Sequence, residues 1–401
     1  MARTALLTSD VGDPRTPVVV AARRTPVGTA GGALRDLDVV ALAAPVLRAV
    51  VTDMRAGGAD VRPDGVDDVV LGNCMGPGGN PARVAALAAG LALDVPGLTV
   101  DRQCGSGLDA IGVAARMVLS SGPDGGVVLA GGAESASTAP QRLARGDDGA
   151  LTPYDRARFA PDDIGDPGMG EAAEALARQS GVSRDRQDAY AVRSHARARA
   201  AAECGRFADE LVAIAGVEHD ERPRALTAAT LSRFRPSFAE GGTVTAGNSC
   251  GISDGAGAVA MLPEALRARL GVPGLAVRAH VVCGVDPNLP GLGPVPAVRA
   301  VLGAAGLSLD DVGTVEMTEA FASQVLACTD ALGLDVLGSD ADRLCPDGGA
   351  IAFGHPWGAS GALLLVRLFA TMVRRDGPRY GIATCAVGGG LGVATLVERV
   401  G

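Results

Sequence analysis

The sequence predicts an α/β fold made of two similar halves, and three observations predict it. Short apolar runs alternate with longer helical stretches, the pattern of sheets covered by helices. Two distant segments repeat the same order of parts: a Gly-rich turn, a helix, a strand and a Gly-rich exit. At 401 residues the chain also exceeds one ordinary unit, since about 150 residues per domain is typical.

The elements follow in order. Val-Val-Val-Ala-Ala at 18–22 predicts a strand, closed by the turn Arg24-Thr25-Pro26. Residues 39–54 place Ala, Leu and Val on one helical face. A second strand falls at 69–72 and a helix at 81–91. The first copy of the repeat runs from Cys104-Gly-Ser-Gly through a helix at 108–120 to the strand 127–130 and Gly131-Gly132. The second runs from His355-Pro-Trp-Gly-Ala-Ser-Gly361 through a helix ending near 374 to the strand 381–386 and Gly388-Gly-Gly390. This self-similarity reads as an internal duplication. Between the copies, 140–246 is richer in charge and proline and carries its own helices at 170–180 and 184–205. That stretch reads as an insertion over one half.

Composition removes several functions. Hydrophobic residues make up 47% and charged residues 20%, an ordinary globular balance. Aromatics at 3% leave the core to Ala, Val and Leu. All 36 basic residues are Arg, so no lysine can form an imine. A net charge of −9 without a basic run argues against a nucleic-acid surface. Residues 1–17 form a polar lead-in without the charged-then-apolar order of a signal peptide, and no apolar run approaches membrane-spanning length. The expectation is a soluble, cytoplasmic protein with no membrane partner. Eight cysteines (74, 104, 204, 250, 283, 328, 345, 385) stand without a CxxC pair. They suggest neither a disulfide framework nor a metal site, and each reads by default as a small buried hydrophobe.

Two residues stand apart. Cys104, in Asp-Arg-Gln-Cys-Gly-Ser-Gly, opens a helix, where free N–H groups and the partial positive charge lower a thiol's pKa. His355 holds the mirror position in the second copy, on a glycine-lined helix start, where an imidazole can take a thiol proton or polarise a carbonyl. The other histidines sit in less telling contexts: His195 in an Arg/Ala helix, His219 beside Asp220, His280 in an apolar strand.

Ordered motifs then point to a family. They are Ala-Arg-Arg-Thr-Pro-Val-Gly (22–28), Gly-Gly-Asn-Pro-Ala-Arg (78–83), Cys-Gly-Ser-Gly-Leu (104–108), Gly-Gly-Ala-Glu-Ser (131–135), Gly-Thr-Val-Thr-Ala-Gly-Asn (242–248), Thr-Glu-Ala-Phe-Ala (318–322) and Gly-Gly-Ala-Ile-Ala-Phe-Gly-His-Pro (348–356). From residue 18 to the C-terminus the chain resembles the thiolase family. The resemblance implies a thiolase fold, a duplicated five-layer α-β-α-β-α core, with halves at 1–272 and 273–401 and a covering loop domain at about 134–250. It implies that Cys104 accepts an acyl group from a coenzyme A thioester, which is a substrate, with no tightly bound cofactor. His355 would activate the thiol, and the backbone N–H groups of Cys104 and Gly388 would form an oxyanion hole. Met169, Cys250 and Trp357 would touch the substrate, Cys250 standing where the family commonly has Ser near the pantetheine arm. A homodimer or homotetramer is implied as well.

The chain departs from the family pattern in its second half. Thr318 replaces the usual Asn, which holds a water at the enolate oxygen. Counting from Tyr380 or back from Gly388 puts Ala386 where the family has its base cysteine, and Cys385 falls one residue early. One residue along a strand means the opposite face, unless a bulge brings Cys385 back. Trp357 stands where a smaller aliphatic residue is usual and would reshape the pocket. Three functions remain open: an acyltransferase acting on acyl-CoA or carrier-bound acyl groups in a specialised pathway; acyl transfer to an amine, alcohol, thiol or water without carbon–carbon chemistry; and a non-catalytic acyl-CoA-binding subunit. The intact nucleophile loop favours the first two.

Overall fold

The computed structural model describes residues 5–56 and 65–401, so the first residues of the polar lead-in lie outside the described residues. The strands are β1 (Ala5–Thr8), β2 (Pro17–Arg24), β3 (Gly28–Thr29), β4 (Val66–Gly72), β5 (Leu98–Val100), β6 (Val127–Ser135), β7 (Arg142–Arg145), β8 (Leu151–Tyr154), β9 (Ser253–Pro263), β10 (Gly274–Gly284), β11 (Thr314–Met317), β12 (Tyr380–Val387) and β13 (Leu391–Val400). The helices are α1 (Val39–Ala56), α2 (Pro81–Ala88), α3 (Ser106–Ser121), α4 (Met169–Ser180), α5 (Arg184–Glu203), α6 (Ala228–Leu231), α7 (Glu264–Leu270), α8 (Pro294–Ala305), α9 (Ala322–Leu332), α10 (Ala350–Phe353) and α11 (Trp357–Phe369).

The duplication is visible in strand order. One half reads β2-β9-β6-β4-β5, and the other β10-β13-β12-β11 with β1 also on β10. Parallel pairing of β4 with β6 is matched by β11 with β12. Antiparallel pairing of β6 with β9 is matched by β12 with β13. The halves join where Val18 and Val19 of β2 meet Ala276 and Leu275 of β10.

Strand alternation distributes the side chains into layers. Ala256, Ala258, Ala260 and Leu262 of β9 pack outward with Leu42 and Leu47 of α1 and Ala82 and Ala85 of α2. Val259 and Met261 turn inward, to Ile111 of α3, Leu365 of α11 and Val277 and Val393 of the other half. Ala394 and Leu396 of β13 face outward again, against Val298 of α8 and Val325 of α9. The sequence of layers is therefore helix, sheet, helix, sheet, helix. At the centre α3 and α11 approach backbone to backbone. A Cβ on Gly107 would lie 2.8 Å from the Ala362 nitrogen, and one on Gly361 would lie 2.4 Å from that of Leu108. Glycine in both turn motifs is thus a packing requirement, and it brings the two helix starts together.

The covering segment packs on the second half through Leu176 of α4 and Tyr190 of α5, which join the α8/α9 cluster. Among the described residues no helix is long and apolar enough to cross a membrane.

Candidate active site

The Cys104 turn is held by neighbours in sequence. Gln103, just before Cys104, takes a φ of +46°, a conformation costly for a residue with a side chain. Ser106 offsets that cost: its hydroxyl accepts from the Arg102 N–H at 2.8 Å and donates to the Gln103 carbonyl at 2.7 Å. The Cys74 thiol donates to the same carbonyl at 3.0 Å. A 3₁₀ turn at Gln103–Gly105 then leads into α3.

The histidine turn is held from afar. The His355 N–H donates to the Gly251 carbonyl at 2.8 Å, and Ile252 bridges to His355. Buried Glu134, at the end of β6, accepts from the N–H groups of Cys74 (3.1 Å), Met75 (3.0 Å) and Gly358 (2.9 Å), tying the loop beside the nucleophile to the start of α11. Buried Glu319 accepts from Tyr190 Oη at 2.7 Å, Ser194 Oγ at 2.6 Å and the Ile351 N–H at 3.2 Å, which fastens the covering helix α5 to the same loop.

Ser360 sets the imidazole. Its hydroxyl lies 2.5 Å from His355 Nδ1 and 3.1 Å from the Pro356 carbonyl. When the hydroxyl donates to Pro356, Nδ1 carries the ring proton and Nε2 keeps a free lone pair. Nε2 is buried and makes no hydrogen bond. An unspent lone pair at a buried site is costly, and it is the feature a general base requires.

Electrostatics corrects one expectation. The start of α3 does not leave Cys104 with a low pKa: burial pushes the thiol up to about 12, against the lowering effect of the Cys104 and Gly388 N–H groups. Burial holds His355 down at about 4. The resting pair is therefore a thiol and a neutral imidazole, because an ion pair in this dry setting would have to overcome the desolvation of both charges.

A cavity of about 370 Å³ joins these groups. Cys104, His355, Met169, Cys250, Trp357, Ala386 and Gly388 all line it. Burial also lifts the Cys250 thiol to about 12. Cys385 and Thr318 are elsewhere. β12 pairs with β13 in unbroken register from Tyr380–Glu398 to Val387–Leu391, so no bulge intervenes. Cys385 lies with Ala383 and Val387 in the central core, and its sulfur is 3.1 Å from Thr318 Oγ1. For Thr318 this is a correction. Its short side chain meets Cys385 and lines a separate cavity of about 40 Å³ with Glu316, Ser360 and Arg367, instead of the cavity at Cys104.

Other lining residues escaped the sequence reading: Arg156, Phe238, Phe321 and Gln324. Arg156 is paired in two hydrogen bonds with Asp166 (2.8 and 2.9 Å), and Phe238 meets Phe321 edge to face at 5.9 Å. Phe321 sat inside a recognised motif; nothing in the spacing of the covering segment singled out Arg156 or Phe238. Of the remaining histidines, His280 is buried between Asp109 and Thr395, His195 accepts from the Arg224 N–H, and His219 is exposed.

Comparison with known proteins agrees with this fold along nearly the whole chain. The family model for the thiolase N-terminal domain matches residues 17–265, and that for the thiolase C-terminal domain matches 272–399. An acetyl-CoA acetyltransferase of Pseudomonas aeruginosa is 40% identical over 403 residues, covering 95% of this chain and 99% of its own. One from Thiocystis violacea is 40% identical over 404 residues, covering 96% and 99%. The crystal structure of the Bacillus anthracis acetyl-CoA acetyltransferase superposes with a TM-score of 0.86 at 38% identity, covering 96% of this chain and 99% of that one. With both of its halves matched and a duplicated layered core, the chain belongs to the thiolase family and is an acyltransferase.

Proposed function

We propose that the chain takes the acyl group of a coenzyme A thioester onto Cys104 and passes it to a second substrate. The observation that carries this reading is the shared cavity of Cys104 and His355, with the imidazole Nε2 free of any hydrogen bond. The names of the relatives, acetyl-CoA acetyltransferases, support coenzyme A as the carrier.

In the first half-reaction His355 Nε2 accepts the Cys104 proton as the sulfur attacks the thioester carbonyl. The carbonyl oxygen, now an anion, is received by backbone N–H donors at Cys104 and Gly388, the two groups that already oppose the rise of the thiol's pKa. Such donors cost no reorganisation as charge develops. Collapse of the adduct expels the coenzyme A thiolate, which takes the proton back from His355. The cycle leaves an acyl thioester on Cys104, free coenzyme A and a neutral imidazole, so atoms and charge balance. Met169, Cys250 and Trp357 shape the path by which the substrate reaches Cys104. The chain works as a homodimer or homotetramer in the cytoplasm.

Intact-mass spectrometry after incubation with a panel of acyl-CoAs tests the reading. The expected result is one acyl adduct, mapped to Cys104. An adduct that survives Cys104→Ser, or none with any acyl-CoA, overturns it.

A further inference from the structure

The second half-reaction poses a chemical problem at Ala386. To join two acyl groups through carbon, the second substrate must become a carbanion. The usual way is removal of a proton beside its thioester carbonyl, and a positioned base contributes on the order of 10²–10⁴-fold to such a step. Ala386 offers a methyl group to the cavity, and unbroken strand pairing keeps Cys385 in the core, against Thr318. Among the described residues lining the cavity, the ionisable side chains are Cys104, His355, Cys250 and Arg156. Cys104 carries the acyl group at this stage, and His355, the one lining group with an unspent ring nitrogen, is taken up at this step as the hydrogen-bond donor to the enolate oxygen. Cys250 is a half-buried thiol whose own amide goes to the Ala320 carbonyl, and it lacks the paired backbone donors of Cys104 and Gly388 that face the Cys104 sulfur.

We infer that the carbanion is made by loss of carbon dioxide: the chain condenses the acyl group on Cys104 with a 2-carboxyacyl thioester of the malonyl type, using the cavity wall at Ala386 in place of a base. This rests on the acyl-enzyme reading above.

The step balances without a base. The bond from the substrate's α-carbon to its carboxylate breaks, its electron pair becomes the enolate, and neutral carbon dioxide leaves. The enolate carbon attacks the Cys104 thioester carbon, the new carbon–carbon bond forms, and the Cys104 thiolate departs. One proton from solvent, delivered through His355, restores the thiol. Ser360 suits both halves of the cycle, because its hydroxyl can accept from Nδ1 or donate to it. In the second case Nε2 carries the proton, and its N–H can hydrogen-bond to the enolate oxygen while the carbon attacks.

The wall itself favours this route. Ala386 and Val387 share the cavity with Trp357, Met169, Phe238 and Phe321, and of its neutral polar side chains the Ser249 hydroxyl is given to the Thr245 carbonyl and the Gln324 amide lies on the sulfurs of Met317 and Cys328, so a carboxylate entering there loses more hydration than it regains. The one guanidinium on the wall, Arg156, is already occupied by both carboxylate oxygens of Asp166. A charge held badly in the ground state and absent from the product is the situation in which desolvation speeds decarboxylation.

The test loads Cys104 with the acyl-CoA that acylates it most fully, removes free coenzyme A, and adds malonyl-CoA or acetyl-CoA in separate single-turnover reactions. Intact mass follows the acyl-enzyme, and captured carbon dioxide and 3-ketoacyl-CoA are counted. Malonyl-CoA is expected to discharge the acyl-enzyme with one carbon dioxide per ketoacyl product, roughly 100-fold or more faster than acetyl-CoA. Ala386→Cys, which restores a thiol to the wall, is expected to narrow that ratio by accelerating acetyl-CoA. Equal discharge by acetyl-CoA overturns the inference, and its loss in Cys250→Ser would then make Cys250 the base. Discharge only by water, amines or thiols, with malonyl-CoA inert, also overturns it while leaving the acyl-enzyme standing. Absence of any adduct on Cys104 removes the earlier reading and this one together.

Discussion

The two Gly-rich turns that face each other across the central layer are copies in outline and opposites in how they are held. The Cys104 turn is secured mainly within a few residues, by Ser106 bonded to Arg102 and Gln103. The His355 turn depends on Gly251, Glu134 and Glu319, each far away in sequence. The Cys104 turn is thus a local construction and the His355 turn a tertiary one. A local construction tolerates change elsewhere, whereas a tertiary one registers any shift between the halves or in the cover.

Substitutions at each turn test the contrast, beginning with the largest effect. Cys104→Ser removes the thiolate and is expected to lower turnover by on the order of 10³-fold or more and to abolish the mass adduct. Melting temperature should change little, because the local scaffold of Ser106 remains. A large loss of stability would show the turn to be less self-sufficient than argued.

His355→Gln is expected to slow acylation by roughly 10²–10⁴-fold. It also has a signature in stability against pH. The folded value of about 4 lies below the ordinary 6.5, so between those values the unfolded chain binds more protons. The stabilising contribution is complete above about 6.5 and is lost as pH falls toward about 4. Chemical denaturation at a series of pH values should show this slope in the native chain and a shallower one in the variant. His195, also held at about 4, keeps part of the slope in both.

Glu134→Gln probes the tertiary clamp. Replacing one carboxylate oxygen with an N–H₂ group sets donor against donor at Cys74, Met75 or Gly358, for a loss of about 2 kcal/mol measurable as a shift in denaturation midpoint. Acylation should slow more than in a variant of equal stability loss placed in an outer layer. Equal slowing would separate stability from site geometry and undo the clamp.

Cys385→Ala is expected to have the smallest effect. It deletes a buried sulfur and its contact with Thr318, costing about 1 kcal/mol, and leaves acylation and acyl transfer near native rates. Condensation lost with acylation intact would return the base role to Cys385.

Much of this was legible in the sequence because it depended on local rules. Alternating apolar runs and the repeated turn–helix–strand order follow from backbone periodicity, whereas the glycine-permitted approach of α3 to α11 appears only once both helices are placed. Counting along the strand was enough to separate Ala386 from Cys385, since side-chain direction has a period of two. The charge state of Cys104 was not legible. A helix start suggests a lowered pKa, and only the packed structure reveals that burial outweighs it. Thr318 likewise could be read only as a shorter stand-in until its partner, Cys385, was placed beside it. Arg156 and Phe238 reach the cavity from an inserted segment whose path no local pattern encodes. The sequence by itself determined the architecture, the two facing Gly-rich turns and the order that separates Ala386 from Cys385, each set by neighbours in the chain. Tertiary structure alone decided the direction of the pKa shifts at Cys104 and His355, the free Nε2 of His355 and the largely apolar wall that faces Cys104, because desolvation and partner geometry arise only when distant segments exclude water together.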